Sequence, residues 1–131
     1  MNKLWKIVST GIVAVLLFDT AASLAAKGLG FPFAYASIGS VLIYAMVGYF
    51  AYRRSGLVRA IGAAVLVELV DATLGWFISW QIGPGALPTD QVTPPIIATT
   101  VVTVLVFSAV CALIGAAIAR VVHGRGARTN A

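Results

Sequence analysis

Four apolar stretches, roughly over residues 4–26, 33–52, 57–82 and 95–122, take up most of this chain and leave little else for it to fold with. A helix needs about 20 mostly apolar residues to cross the hydrocarbon of a bilayer, and each stretch meets that length. Sixty per cent of the 131 residues are hydrophobic and 10% are charged, against about 25% charged in soluble domains. A soluble domain of this size buries only about 60–70% of the surface its chain exposes. Lipid must cover the rest.

The runs are continuous and rich in alanine and leucine, whereas barrel strands show alternating segments of about 10 residues. Backbone groups in lipid must pair internally, so the expected fold is all-α. It is a polytopic membrane protein: a single transmembrane domain over residues 1–131, built as a four-helix transmembrane bundle with a tail over 123–131.

The breaks between spans have their own chemistry. Lys27-Gly28-Leu29-Gly30 with Pro32 separates the first two spans, and Arg53-Arg54-Ser55-Gly56 turns the second into the third. The segment from Gly83 to Pro95 contains Pro84, Pro88, Pro94 and Pro95, which cannot continue a helix.

A net charge of +5 raises nucleic acid as a partner, but the bases sit in short clusters at span ends without interleaved aromatics. That pattern fits the lipid bilayer, and no nucleic acid is expected. With four spans, Lys3, Lys6, Arg53, Arg54, Arg59, Arg120, Arg125 and Arg128 all fall on one side. Lys27 falls on the other, where the proline-rich loop adds Asp90. The positive-inside rule then places both termini in the cytoplasm, with the bacterial inner (plasma) membrane as the expected location. Aromatics agree: Trp5, Tyr49 and Tyr52 mark one interface, and Phe31, Tyr35, Trp76 and Trp80 the other.

The start of the chain also resembles a signal peptide, with two lysines, an apolar run and Ser23-Leu24-Ala25. However, the run is longer than the usual 7–15 residues and Asp19 interrupts it, so the first span is expected to stay.

The halves are weakly self-similar. Val15-Leu16-Leu17-Phe18-Asp19 parallels Val67-Glu68-Leu69-Val70-Asp71, and Ala45-Met46-Val47-Gly48 parallels Ala112-Leu113-Ile114-Gly115, with Arg53 and Arg120 at equal spacing beyond. Apolar helices align easily by chance, yet internal repeats are common in membrane transport folds. A 2+2 parallel internal repeat places Asp19 and Asp71 at matching depths.

Asp19, Glu68 and Asp71 lie within the spans and have no intramembrane Lys or Arg beside them. A charge there costs about 2.5–3.5 kcal/mol even on the lenient insertion scale. Glu68 and Asp71 share a helix face, flanked by Ala64 and Gly75, small residues that suit close approach of another helix. If Asp19 also points inward, the three gather in one pocket. Carboxyls in an apolar interior cannot all stay ionised, so at least one keeps its proton at neutral pH and can donate a hydrogen bond. Such a group suits a proton or cation relay; equally, it can serve as polar glue between helices. Candidate hydrogen-bond partners are Ser37, Ser40 and Tyr44 on the second span, and Thr100, Thr103 and Ser108 on the fourth.

Cys111, Gly115 and Ala119 form a small-residue packing face on the fourth span, within a protomer or between protomers. Cys111 has no His or Cys near it in the membrane, and His123 has no acid near it in the chain. No phosphate loop, metal motif or nucleophile elbow is present, so neither cofactor, metal nor enzyme activity is expected.

Three functions remain. The leading one is an accessory or scaffold subunit whose acids and small residues pack against partner helices. The alternative is a small proton- or cation-coupled transporter or channel using the intramembrane carboxylates. The third is an intramembrane enzyme with an aspartic dyad of Asp19 and Asp71, although the Gly-x-Gly-Asp pattern of presenilin-like proteases is absent. A homo-oligomer or a larger membrane complex is the expected assembly, since four spans are few to enclose a pathway.

Overall fold

The computed structural model describes residues 3–30, 32–84, 86 and 92–126, with side chains as far as residue 122. Phe31, Pro88, Asp90, Arg128 and the tail over 127–131 lie outside the described residues, as do the side chains of His123 and Arg125.

The described residues form a helical bundle. Helix α1 spans Lys3–Leu29, a single 3-10 turn over Phe33–Tyr35 leads into α2 (Ala36–Ser55), and α3 covers Leu57–Val70. A π turn over Asp71–Gly75 joins α3 to α4 (Trp76–Ile82), which complete the third span. Helix α5 runs from Pro94 to Gly126. It begins one residue earlier than its sequence boundary, because proline fits a first helical turn, where its missing N–H has no partner to lose.

Four crossings alternate in direction, so α1 and the end of α5 emerge on the same side. Tight connections use left-handed glycines. Gly56 has φ 83° and its N–H bonds the Tyr52 carbonyl, closing α2 one residue before α3 starts.

Helix α2 packs most extensively on α5, and also on α1 and α3, while α1 and α5 scarcely touch. Apolar side chains gain nothing by leaving lipid for one another, so close backbone approach decides the packing. A Cβ on Gly48 would lie 2.5 Å from the Ala112 Cα, and one on Gly115 would overlap the Ala45 carbonyl oxygen. The two segments matched by sequence therefore face one another, each glycine against the alanine that begins the other. Cys111, Ala112, Gly115, Ala116 and Ala119 are all buried, so the small-residue face of α5 is spent within the protomer.

The matching extends into α1 and α3. Val8, Gly11 and Val15 are buried, as are Ala60, Ala63 and Val67 at the corresponding positions. The hairpins pack unevenly all the same: α2 lies on α3, and α1 has no such contact with α5.

Helix α5 packs along half its length. From Pro94 to Phe107 no residue is buried; the first is Ser108. Large apolar side chains such as Leu17, Leu42, Met46, Phe77, Val106 and Ile114 point outward and make the lipid surface.

Replacing Gly115 with valine should wedge α2 from α5 and lower stability by about 1–3 kcal/mol, the usual cost of overpacking. A Cβ on Gly62 would meet nothing within 4 Å, so Gly62→Ala should stabilise by roughly 0.5–1 kcal/mol through helix propensity. Unfolding by SDS titration in mixed micelles measures both.

Candidate functional site

The acid groups arrive from α1 and from the end of α3. Asp19 follows the fully buried Val15 by one helical turn and precedes Ser23 by another, so it shares their inward face. Glu68 and Asp71 are both buried, at 5% and 9% exposure. All three turn into the bundle.

Tyr44 on α2 is 2% exposed, and its hydroxyl donates to Asp71 Oδ2 at 2.6 Å. Glu68 lines the same cavity as this hydroxyl. Asp19 stands beside Asp71, and Ser40 lines the same cavity. A Cβ on Gly75 would overlap Asp71 Oδ1 and lie 3.3 Å from Asp19 Oδ2, so the missing side chain makes room for the carboxyl pair. Asp71 Oδ1 is buried and meets no hydrogen-bond donor among the described residues. Such an orphaned oxygen costs about 1–3 kcal/mol, more if charged. A proton held between the two carboxyls would remove that cost.

The backbone is irregular at this point. The Trp76 N–H bonds the Asp71 carbonyl five residues back, and the Thr73 hydroxyl takes up the Leu69 and Val70 carbonyls at 2.9 and 3.0 Å. Single π turns of this kind recur at functional sites in α-helices.

Two cavities adjoin the acids, of ≈ 190 and ≈ 240 Å³, and both are lined by Asp19, Phe33, Glu68, Asp71 and Val104. One continues towards Trp76, Ser79 and Thr100; the other continues towards Ser40, Tyr44 and Phe107. Together they make a cleft against the unpacked half of α5. Among the described residues, no group of three or more His, Cys, Asp or Glu is disposed to hold a metal ion.

Of the six hydroxyl residues proposed as partners, Tyr44 bonds Asp71, and Ser40 lines the cavity beside Asp19. Thr100 is exposed and lines the cleft. The others bond their own helix: Ser37 to the Ala34 carbonyl, Thr103 to that of Thr99 and Ser108 to that of Leu105. A hydroxyl in an apolar helix finds its nearest acceptor three or four residues back. Sequence reasoning missed the aromatic wall of Phe33, Trp76 and Phe107, and a buried Ser23–Ser79 hydrogen bond of 2.9 Å between α1 and α4. The signal for that bond was present, since the two serines follow Asp19 and Asp71 by one and two turns.

Tyr44→Phe leaves Asp71 Oδ2 without its donor and should cost about 1–3 kcal/mol. Ser37→Ala, on an exposed side chain bonded to its own turn, should stay within about 0.5 kcal/mol. Chemical unfolding of the two variants in matched micelles tests the contrast. Compared with known families, curated proteins and solved structures, the chain matches no family model, no curated protein and no solved structure.

Proposed function

We propose that this four-span membrane protein is a small proton-coupled transporter or channel in which Asp19, Glu68 and Asp71 form the relay. The observation that carries this reading is the meeting of the Asp19 and Asp71 carboxyls from two spans inside the bundle, with Glu68 lining the same cleft. A scaffold that binds partner helices through its acids would present them outward. None of the three is exposed, whereas many large apolar side chains are.

Chemically, the pair Asp19–Asp71 holds one proton where two carboxylates could not sit unshared. Tyr44 supports Asp71 from one side, and Glu68 offers a second station on the same cavity wall. The donor set favours a proton over a metal ion, because too few ligands converge for coordination. The cleft lies open beside the outer half of α5, and a homo-oligomer would close it.

The basic residues support an orientation. Lys3, Lys6, Arg53, Arg54, Arg59 and Arg120 all lie at the end of the bundle that carries the termini, which the positive-inside rule assigns to the cytoplasm. A reporter active only in the cytoplasm, fused after Ala131, should be active; an inactive fusion would reverse the assignment.

In proteoliposomes under a pH gradient, Asp71→Asn should lower proton flux by about tenfold or more, the scale of losing a positioned proton carrier. Gly62→Ala, in open space and away from the cleft, should not. Flux that survives Asp71→Asn would sink the relay. The same carboxyl pair is what an aspartic dyad needs, so peptide hydrolysis is the second reading. It requires hydrolysis of a membrane-embedded peptide that a pepstatin-type inhibitor blocks.

A further inference from the structure

We infer that the cleft beside Asp71 binds a small organic cation, an ammonium carrying apolar groups, in exchange for a proton. This rests on the proton-relay reading and names what the same site would take as substrate. The observations come from the walls as much as from the acids.

Asp71 is 9% exposed and lines both cavities, and its buried Oδ1 has no donor among the described residues other than the proton it can share with Asp19. Among the described residues that line either cavity there is no Lys, Arg or His to answer the carboxyls with positive charge. Apart from the hydroxyls of Ser37, Ser40, Tyr44, Ser79 and Thr100, the remaining lining is apolar and aromatic. Phe33 borders both cavities, Trp76 and Val101 one, and Phe107 the other. Ring faces attract a desolvated cation, and most strongly that of tryptophan.

Each alternative occupant leaves one of these features idle. A metal ion would need more converging ligands than the described residues offer. A neutral apolar molecule would have no use for three carboxyls. An anion would be repelled by them. An ammonium with one aromatic or branched group uses both the charge and the rings.

The volumes set an upper size. At ≈ 190 and ≈ 240 Å³ the cavities fall below the roughly 300–1,000 Å³ usual for drug-sized ligands. A single ring with a small ammonium group fits that scale. The exchange is balanced: as the cation arrives, the proton shared by Asp19 and Asp71 departs to solvent, and the site keeps the same charge.

The test uses the purified full chain in detergent micelles, titrated with benzyltrimethylammonium chloride in a calorimeter and in weakly buffered solution with a pH indicator. Neopentylbenzene, its uncharged carbon isostere, is the competitor. Saturable binding with proton release is expected, unaffected by neopentylbenzene. Binding should fall about tenfold or more in Asp71→Asn and about fivefold in Trp76→Leu, which keeps an apolar wall but removes the ring.

Absence of saturable binding to the unmodified chain would overturn the inference, as would equal competition by neopentylbenzene. Neither outcome depends on a variant folding. Proton flux in proteoliposomes of the same preparation separates the two claims. Flux that depends on Asp71 without ammonium binding discards the substrate and keeps the relay; loss of both discards both.

Discussion

The hydrogen bond from Tyr44 to Asp71, with Asp19 beside it, is the interaction around which the bundle is arranged. Carboxyl groups cannot be left against hydrocarbon, so the helices that carry them must be rotated until they meet. That requirement fixes the inward faces of α1 and α3, and it draws α2 between them to supply the hydroxyl. Glycines then serve the contact. Gly11 admits Val47 and Val67, Gly39 lies against the Phe18 ring, and Gly75 yields its volume to the carboxyl pair.

The two ends of the bundle are built differently. Towards the termini, Gly48 and Gly115 bring α2 and α5 into backbone contact, with alanines filling the remaining positions. Van der Waals packing of this sort resists separation. On the other side of Ser108, α5 has no fully buried residue before Pro94, and the polar cleft begins where the close contact ends. A rigid base and an accessible site thus share one helix.

Much of the fold was legible because lipid imposes simple rules. Span lengths and breaks followed from hydropathy and proline, and the inward turn of the acids followed from the cost of charge in hydrocarbon. The Ala45–Gly48 and Ala112–Gly115 match was visible as a repeat, although its role as a reciprocal contact between α2 and α5 needed the structure. The choice of Tyr44 among six hydroxyls was not legible, since helical spacing cannot tell a side chain that reaches across from one that folds back on its own turn. Ser37 and Thr103 fold back. The unpacked half of α5 was also hidden, because lipid-facing and protein-facing apolar residues look alike in a sequence.

The π turn has a bearing on the whole third span. Ala63, Val67, Asp71, Gly75 and Ser79 are all buried, at unbroken intervals of four. In a regular α-helix each such interval winds about 40° past a full revolution, so the row would drift by about 160° from end to end. Wider winding between Asp71 and Gly75 takes up part of that drift, as a leap day corrects a calendar. Its practical meaning is that adding or deleting one residue there would not stay local: everything from Trp76 to Ile82 would swivel by about 100°, and Ser79 would leave Ser23.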